Sequence, residues 1–329
     1  MTIPLDARLL ATLRRSAGVH LSTSELAAEA AVPQAEIEPR LEALAAAGYD
    51  IERRPGFGFR LLGGPDRVIA DDLWSRLPEE AGTFLREIIV FEETGSTNDV
   101  AAQMGRQGAA SGVAIFAERQ TDGRGRFGRR WESASHRGLW FSLLLRPEMA
   151  LALWPRLTTW AAVSVAAAVE GATGRPAAIK WPNDVHLAGK KTAGILIELG
   201  ADEKQGHFAV VGIGLNVNHE AEDFPPELQE LANSMHLAAD RRLVRAAVAA
   251  GVLAELARRY AALERDFKSI LEEARQRSLL LGTWIQVRAG DQVREGVAEG
   301  LDGEGCLLLR TAEGACERLN AGEVTLRAR

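Results

Sequence analysis

The run Gly123-Arg124-Gly125-Arg126-Phe127-Gly128-Arg129-Arg130-Trp131 holds the densest concentration of reactive and recognition groups in the chain. Glycines let a backbone fold closely around a ligand, and guanidinium groups present fork-shaped donors that match carboxylates and phosphates. From Arg119 to Trp131 five arginines stand against one acid, Asp122, in a chain whose net charge is −6. A mobile basic loop of this kind is suited to clamping a polyanion, with Trp131 as a platform for a base. The spacing Gly123-x-Gly125-x-x-Gly128 also satisfies the dinucleotide fingerprint, and Glu148 lies at a fitting distance beyond it. A Rossmann loop, however, runs straight into a helix whose N-terminus holds the pyrophosphate. Here the turn-rich WESASHRG and then a strand follow, so that reading fails, and no Gly-Lys-Ser/Thr makes a Walker A loop.

Three further clusters carry polar chemistry. Lys180-Trp181-Pro182-Asn183-Asp184 predicts a rigid corner at a strand end that holds an amide and a carboxylate at defined positions. Gly189-Lys190-Lys191-Thr192-Ala193-Gly194-Ile195-Leu196 follows and sets Lys191 at the start of an apolar strand, facing the arginine loop if both belong to one sheet. Gly212 and Gly214 interrupt the strand-like Val210–Asn218, a mark of close approach by a ligand or another backbone. Glu93-Thr94-Gly95-Ser96-Thr97-Asn98 falls between a strand and a helix, where its small polar side chains either read a neutral polar ligand or simply cap the helix.

The elements that must hold these clusters are legible in outline. A length of 329 residues suggests two or three domains at about 100–200 residues each. A composition of 47% hydrophobic and 26% charged residues excludes a disordered or collagenous chain. The net charge argues against coating nucleic acid by bulk electrostatics, without excluding a local basic site. Asp6 and Arg8 fall where a signal peptide wants an apolar run, and the apolar stretch Trp160–Val169 is far short of the ~20 residues of a membrane helix. Cys306 and Cys316 are the only cysteines, too few for a disulfide scaffold, and a reducing cytoplasm is the expected compartment.

Residues 1–64 read as helices followed by a ribbon, the order of a winged helix-turn-helix. Ser22-Thr23-Ser24-Glu25 has capping-box spacing, Ile37, Leu41 and Leu44 recur at helical intervals, and the turn PGFG joins DIERR to FRLL. Residues 65–87, mixing prolines and charges, read as a linker. From 88 to 278 strands alternate with helices: Ile88–Phe91, Val113–Ala117, Leu139–Leu145, Ala178–Lys180, Ile195–Leu199 and Phe208–Asn216, closed by one long helix carrying Leu253, Leu256, Tyr260, Leu263, Phe267 and Ile270. Residues 279–329 hold short β runs separated by Ala289-Gly290-Asp291, Asp302-Gly303 and Glu313-Gly314, which predicts a small β-barrel.

Taken in order, STN at 96–98, GRGRFGRRW at 123–131, KWPNDV at 180–185, KKTAGILIEL at 190–199 and GIGLNVN at 212–218 resemble the biotin protein ligases. With the helical front end and β tail, the resemblance is to the bifunctional type that also represses the biotin operon, and it covers nearly the whole chain. It implies an α+β architecture: a winged helix-turn-helix, a central mixed α/β catalytic domain of the biotin/lipoate ligase type, and a C-terminal SH3-like β-barrel. The implied reaction joins biotin to ATP as biotinyl-5′-AMP, releasing pyrophosphate, then passes biotin to a lysine of a biotin carboxyl carrier protein domain. Such chemistry needs charge stabilisation and positioning more than a side-chain nucleophile, which accords with a site rich in Arg and Lys.

By the same resemblance, Ser96, Thr97, Asn98 and Gln120 would hold the biotin ring system. Arg124, Gly125 and Arg126 would form the biotin-binding loop, with Arg126 and Arg129 reaching phosphate. Lys191 would neutralise charge between the biotin carboxylate and the α-phosphate. Trp131 would stack on adenine, Asn183 and Asn216 would contact the nucleotide, and Asp184 would orient or deprotonate the acceptor lysine. Mg²⁺ would accompany ATP through phosphates and water, with no protein ligand named. The family allows a homodimer through the central sheet and operator DNA as a partner; composition decides neither. Against DNA stand Glu36, Glu38 and Glu42 on the recognition helix, balanced by Arg40 alone, and Pro39, expected to kink that helix. In favour stand Arg53, Arg54 and Arg60 on the wing. Lipoate–protein ligase and a biotinyl-AMP-responsive regulator are the competing readings.

Overall fold

A computed structural model describes residues 3–326. Met1, Thr2 and 327–329, the outer ends of the two terminal units, lie outside the described residues.

The N-terminal unit has helices α1 (Leu5–Arg15), α2 (Thr23–Ala30) and α3 (Ile37–Ala46), then strands β1 (Asp50–Arg54) and β2 (Gly58–Gly63) paired as an antiparallel ribbon. The capping box forms as spaced: Ser22 Oγ accepts from the Glu25 N–H, and the Glu25 carboxylate accepts from the Ser22 N–H. Leu9, Leu10, Leu13, Leu26, Ile37, Leu41 and Leu44 make a core of its own. Pro39 does not kink α3. A 3₁₀ turn at Gln34–Glu36 precedes the helix, so Pro39 falls in its first turn, where a backbone N–H has no intrahelical acceptor to lose.

Segment 65–87, expected to be a linker, is structured. Helices α4 (Ala70–Arg76) and α5 (Ala81–Phe84) bury Leu73, Trp74 and Leu85 in the central core. Charge placed these residues in the linker reading, but Asp72 is buried because Arg14 and Arg76 pair with it, which joins α1 to α4.

The central unit is a seven-stranded mixed sheet built from β3 (Glu87–Thr94), β4 (Val113–Gln120), β5 (Gly138–Leu145), β6 (Ala177–Lys180), β7 (Asp184–Leu187), β8 (Lys190–Asp202) and β9 (Gly206–Asn216). Its order is β3-β4-β5-β9-β8-β7-β6; β3 and β4 are parallel and the remaining neighbours antiparallel. Strand β7 was not anticipated, since the corner KWPND leads directly into it. Alternation divides each strand between two faces. On β9, Ala209, Val211, Ile213 and Leu215 point to the main core, beneath α7 (Arg156–Thr173), α9 (Arg245–Tyr260) and α11 (Phe267–Gln276). Phe208 and Val210 face α6 (Thr97–Arg106), and Gly212 and Gly214 continue that face without side chains. The two short helices α8 (Met235–Ala239) and α10 (Ala262–Arg265) complete the unit. The single long closing helix is in fact broken: the backbone leaves helical geometry at Asp266 (φ −149°, ψ 54°). The break lets Phe267, Ile270, Leu271 and Ala274 pack inward together with Leu253, Leu256 and Leu263.

The C-terminal unit is a five-stranded antiparallel sheet, β10 (Trp284–Ala289), β11 (Gln292–Leu301), β12 (Leu307–Arg310), β13 (Cys316–Leu319) and β14 (Glu323–Leu326), in the order β13-β12-β11-β10-β14. Among the described residues no helix is long and apolar enough to cross a membrane.

Candidate active site

One cleft of about 580 Å³ lies on the α6 face of the central sheet. It is lined by every residue to which the family resemblance gave a site role: Ser96, Thr97, Asn98, Gln120, Arg124, Gly125, Arg126, Arg129, Trp131, Asn183, Asp184, Lys191 and Asn216. Its floor is made by glycines. A Cβ on Gly212 would lie 2.2 Å from Asn98 Oδ1, and one on Gly214 or Gly194 would lie 2.6 or 2.8 Å from the Trp131 ring. Gly194 and Gly214 are paired neighbours on β8 and β9, so together they form a flat bed under the indole. The arginine loop and the lysine strand therefore do belong to one sheet face.

At one end the polar pocket is tightly ordered. Thr97 N–H donates to Gln120 Oε1 at 2.8 Å, and Ser142 Oγ donates to Thr97 Oγ1 (2.7 Å) or Asn98 Oδ1 (2.6 Å). Asn98 Nδ2 donates to Glu198 Oε2 at 2.6 Å. Ser96 occupies the N-cap position of α6, yet its hydroxyl makes no capping bond, so capping does not explain this run. Ser96, Thr97 and Asn98 are all buried. Ser142 and Glu198 do not line the cleft but hold Thr97 and Asn98 in place, and they were missed because in sequence they are one serine and one glutamate inside apolar strands.

The loop 123–131 folds over the cleft through paired charges. Arg124 makes a bidentate contact with Asp99, both bonds 2.7 Å, and reaches Glu198 at 3.5 Å. This contact holds the Asp99 carboxyl below its ordinary range. Arg126 donates to Asn183 Oδ1 at 3.0 Å, and burial lowers its proton affinity against the opposing pull of Asp184 and Glu323. A guanidinium stays charged under such a shift, so Arg126 is a half-desolvated cation. Arg129 pairs with Glu323 on β14, so the C-terminal sheet also holds the loop. At the far side Lys191 Nζ lies 2.7 Å from Asp184 Oδ1 and 5.3 Å from the Trp131 ring centroid. Asn183 Nδ2 donates to Ile195 O (2.9 Å), and Asn216 Nδ2 to Asn233 O (3.2 Å). Trp131 Nε1 has no acceptor among the described residues. His186 and His219 line the cleft as well and drew no attention in the sequence as isolated histidines.

The cleft thus offers a buried neutral polar pocket, a cationic middle and an aromatic end, under a loop of guanidinium groups. Sheet and cleft define the biotin and lipoate ligase class of α/β proteins: residues 90–216 match the Biotin/lipoate A/B protein ligase family, and residues 280–327 match the Biotin protein ligase C terminal domain. The chain is 36% identical to the Bifunctional ligase/repressor BirA of Bacillus spizizenii over 83% of this chain and 84% of that protein. It is 33% identical to the Biotin--[acetyl-CoA-carboxylase] ligase of Mycobacterium tuberculosis, over 74% of this chain and 90% of that one. Biotin protein ligase from Aquifex aeolicus, solved in complex with biotin and ATP, superposes with a TM-score of 0.64 at 31% identity, covering 74% of this chain and all of that one. The chain belongs to the biotin protein ligase family.

Proposed function

We propose that this protein is an ATP-dependent biotin–protein ligase. The observation that carries the reading is that Lys191, 2.7 Å from Asp184 and 5.3 Å from the Trp131 ring centroid, shares one cleft with the polar residues 96–98. Biotin's ring system occupies the pocket of Ser96, Thr97, Asn98 and Gln120. A carboxylate oxygen of biotin attacks the α-phosphorus of ATP, and the bond to the bridging oxygen breaks to release pyrophosphate. Lys191 and Arg126 offset the negative charge at phosphorus, Arg129 meets the departing phosphates, and Trp131, Asn183 and Asn216 hold the nucleotide. Arg124 and Gly125 close the loop over biotin. The acceptor lysine's amine, oriented or deprotonated by Asp184, then attacks the acyl carbon and AMP leaves. Mg²⁺ would be carried by the ATP phosphates and water and would offset phosphate charge there, and no side chain is assigned to it. The relatives named as biotin ligases and the Aquifex complex with biotin and ATP support this assignment.

The acceptor is a biotin carboxyl carrier domain, the compartment the cytoplasm. The units divide as 1–64, 65–87, 88–278 and 279–329, the second being a structured connector. A second reading, operator binding through α3 and the β1–β2 wing, is favoured by the Bacillus relative's name as a ligase and repressor and by exposed Arg53 and Arg54. A homodimer through the central sheet would accompany it.

Incubation with labelled biotin, ATP, Mg²⁺ and a carrier domain tests the main reading. Label should pass to the carrier and persist in excess lipoate. An unlabelled carrier, or displacement by lipoate, rejects it.

A further inference from the structure

We infer that His219 is the side chain that reads the nucleotide base, a specificity-determining contact in the cleft; this rests on the adenylating reading proposed above. His219 lies three residues past Asn216, on the segment leaving β9, and is 2% exposed while lining the cleft. Its ring stacks on Phe224 (centroids 5.1 Å apart, planes 17° apart) and meets Trp140 edge-on at 5.8 Å. Trp140 in turn meets Trp131 edge-on at 6.3 Å, so the imidazole belongs to the aromatic end of the cleft. The backbone there is fixed, since Ser234 Oγ donates to His219 O at 2.7 Å.

Within this setting the indole Nε1 atoms of Trp131 and Trp140 are buried without an acceptor among the described residues. His219 Nδ1 is buried and has no hydrogen-bond partner among the described residues. His186 Nε2 and His236 Nδ1 are also buried without a partner, but each of those rings is held through its other nitrogen, by Gly189 O and by Glu220. A buried polar atom left unpaired is costly, and in a ligand cleft the natural partner is the ligand. Burial holds the imidazole neutral, outweighing nearby Asp223, with Arg137 and Arg245 acting in the same direction as burial. A neutral imidazole offers one donor and one acceptor. That pair suits the edge of a purine, whereas phosphate calls for the cations found at Arg126 and Lys191. The biotin pocket already has its polar set at Ser96, Thr97 and Asn98, with Asn98 against Gly212 of the glycine floor. What remains for His219 is a flat, neutral, hydrogen-bonding group, a base.

Calorimetric titration of the full chain with ATP, and separately with biotin, tests this in wild type, His219→Ala and His219→Phe. His219→Phe keeps an aromatic ring against Phe224 and removes the ring nitrogens, at the cost of a slightly larger ring in a buried site. ATP binding should weaken about tenfold in both variants, the size of a lost hydrogen bond in a dry site, with biotin binding unchanged. Turnover of the Phe variant should also discriminate less between ATP and GTP. In the wild type, the His219 ring nitrogens should shift by ¹⁵N NMR on adding ATP and not on adding biotin. Wild-type ATP affinity in His219→Phe, or equal losses for ATP and biotin, would overturn the inference while leaving the ligase reading intact. Failure of the wild type to bind ATP would overturn both.

Discussion

Gly212 and Gly214 stand where the cleft face of β9 would otherwise carry side chains, and each is matched to one neighbour. A Cβ at 212 meets the Asn98 amide, and a Cβ at 214 meets the Trp131 indole. The two substitutions should therefore separate the two ligands. Gly212→Ala is expected to weaken biotin binding by about tenfold or more with ATP binding near wild type, and Gly214→Ala the reverse, as read by equilibrium titration. Lys191 is half-buried and linked to Asp184, so its removal should leave folding nearly intact while pyrophosphate release falls by about 10²–10³, the loss typical of one electrostatic contact to a developing charge. Wild-type release from Lys191→Ala would refute its role. His219 adds a pH signature. Its folded pKa, lowered to about 4 by burial, lies below the unfolded value near 6.5, so the unfolded chain binds the extra proton between these limits. Stability is thus retained at neutral pH and lost as pH falls from about 6.5 towards 4, by up to about 3 kcal/mol. Urea midpoints across that range should show the slope in wild type and a flatter profile in His219→Phe.

Among the elements, α9 is tied to the sheet by a buried ion pair. Arg245, fully buried, donates to Glu118 on β4 at 2.6 Å and to Asp66 Oδ1 at 3.0 Å, and His136 lies 3.2 Å from the same glutamate. Glu118 also accepts from Val68 N–H, so one carboxylate connects β4, the 65–87 segment and α9. Replacing Arg245 by Met takes the guanidinium away from that buried charge and should cost about 3–5 kcal/mol in denaturant unfolding. A cost under about 1 kcal/mol would mean the pair is dispensable. None of this was legible in the sequence. An arginine at the start of an apolar helix reads as surface charge, and only its meeting with a glutamate more than a hundred residues away makes burial tolerable. The same holds for the break at Asp266: the apolar spacing of 253–270 continues through it, since periodicity records which side chains face inward and not whether the axis turns.

At the scale of the molecule, three units share contacts that matter to the cleft. Arg14–Asp72 docks the N-terminal unit on α4, and Arg129–Glu323 brings the C-terminal sheet to the arginine loop. The DNA reading also belongs to this scale, because it concerns which charges remain free. Arg53 is paired with Glu38, Arg60 with Glu52 and Arg40 with Asp6, while Arg54 stacks on exposed Phe57 at the wing tip. Binding of the full chain to its biotin-operon upstream DNA should therefore be weak and carry a shallow salt dependence, and should tighten when biotin and ATP are present. Tight binding with a steep salt slope would show that these internal pairs break on DNA. No response to biotin and ATP would count against a regulatory role.

The chain order of STN, GRGRFGRRW, KWPND, KKTAGILIEL and GIGLNVN carried the family resemblance and with it the membership of the cleft, because a run of motifs is written in the sequence itself. Local rules likewise determined the capping box at Ser22 and Glu25, the wing ribbon and most strands, since each depends on neighbours within a few residues. Tertiary structure alone decided which polar group pairs with which: Arg124 with Asp99, Arg126 with Asn183, Arg129 with Glu323 and Asn98 with Glu198. It also decided that a charged, proline-bearing segment would be buried as α4. Coulomb and hydrogen-bond energies depend on separation in space and on burial, and neither is written in the distance along the chain.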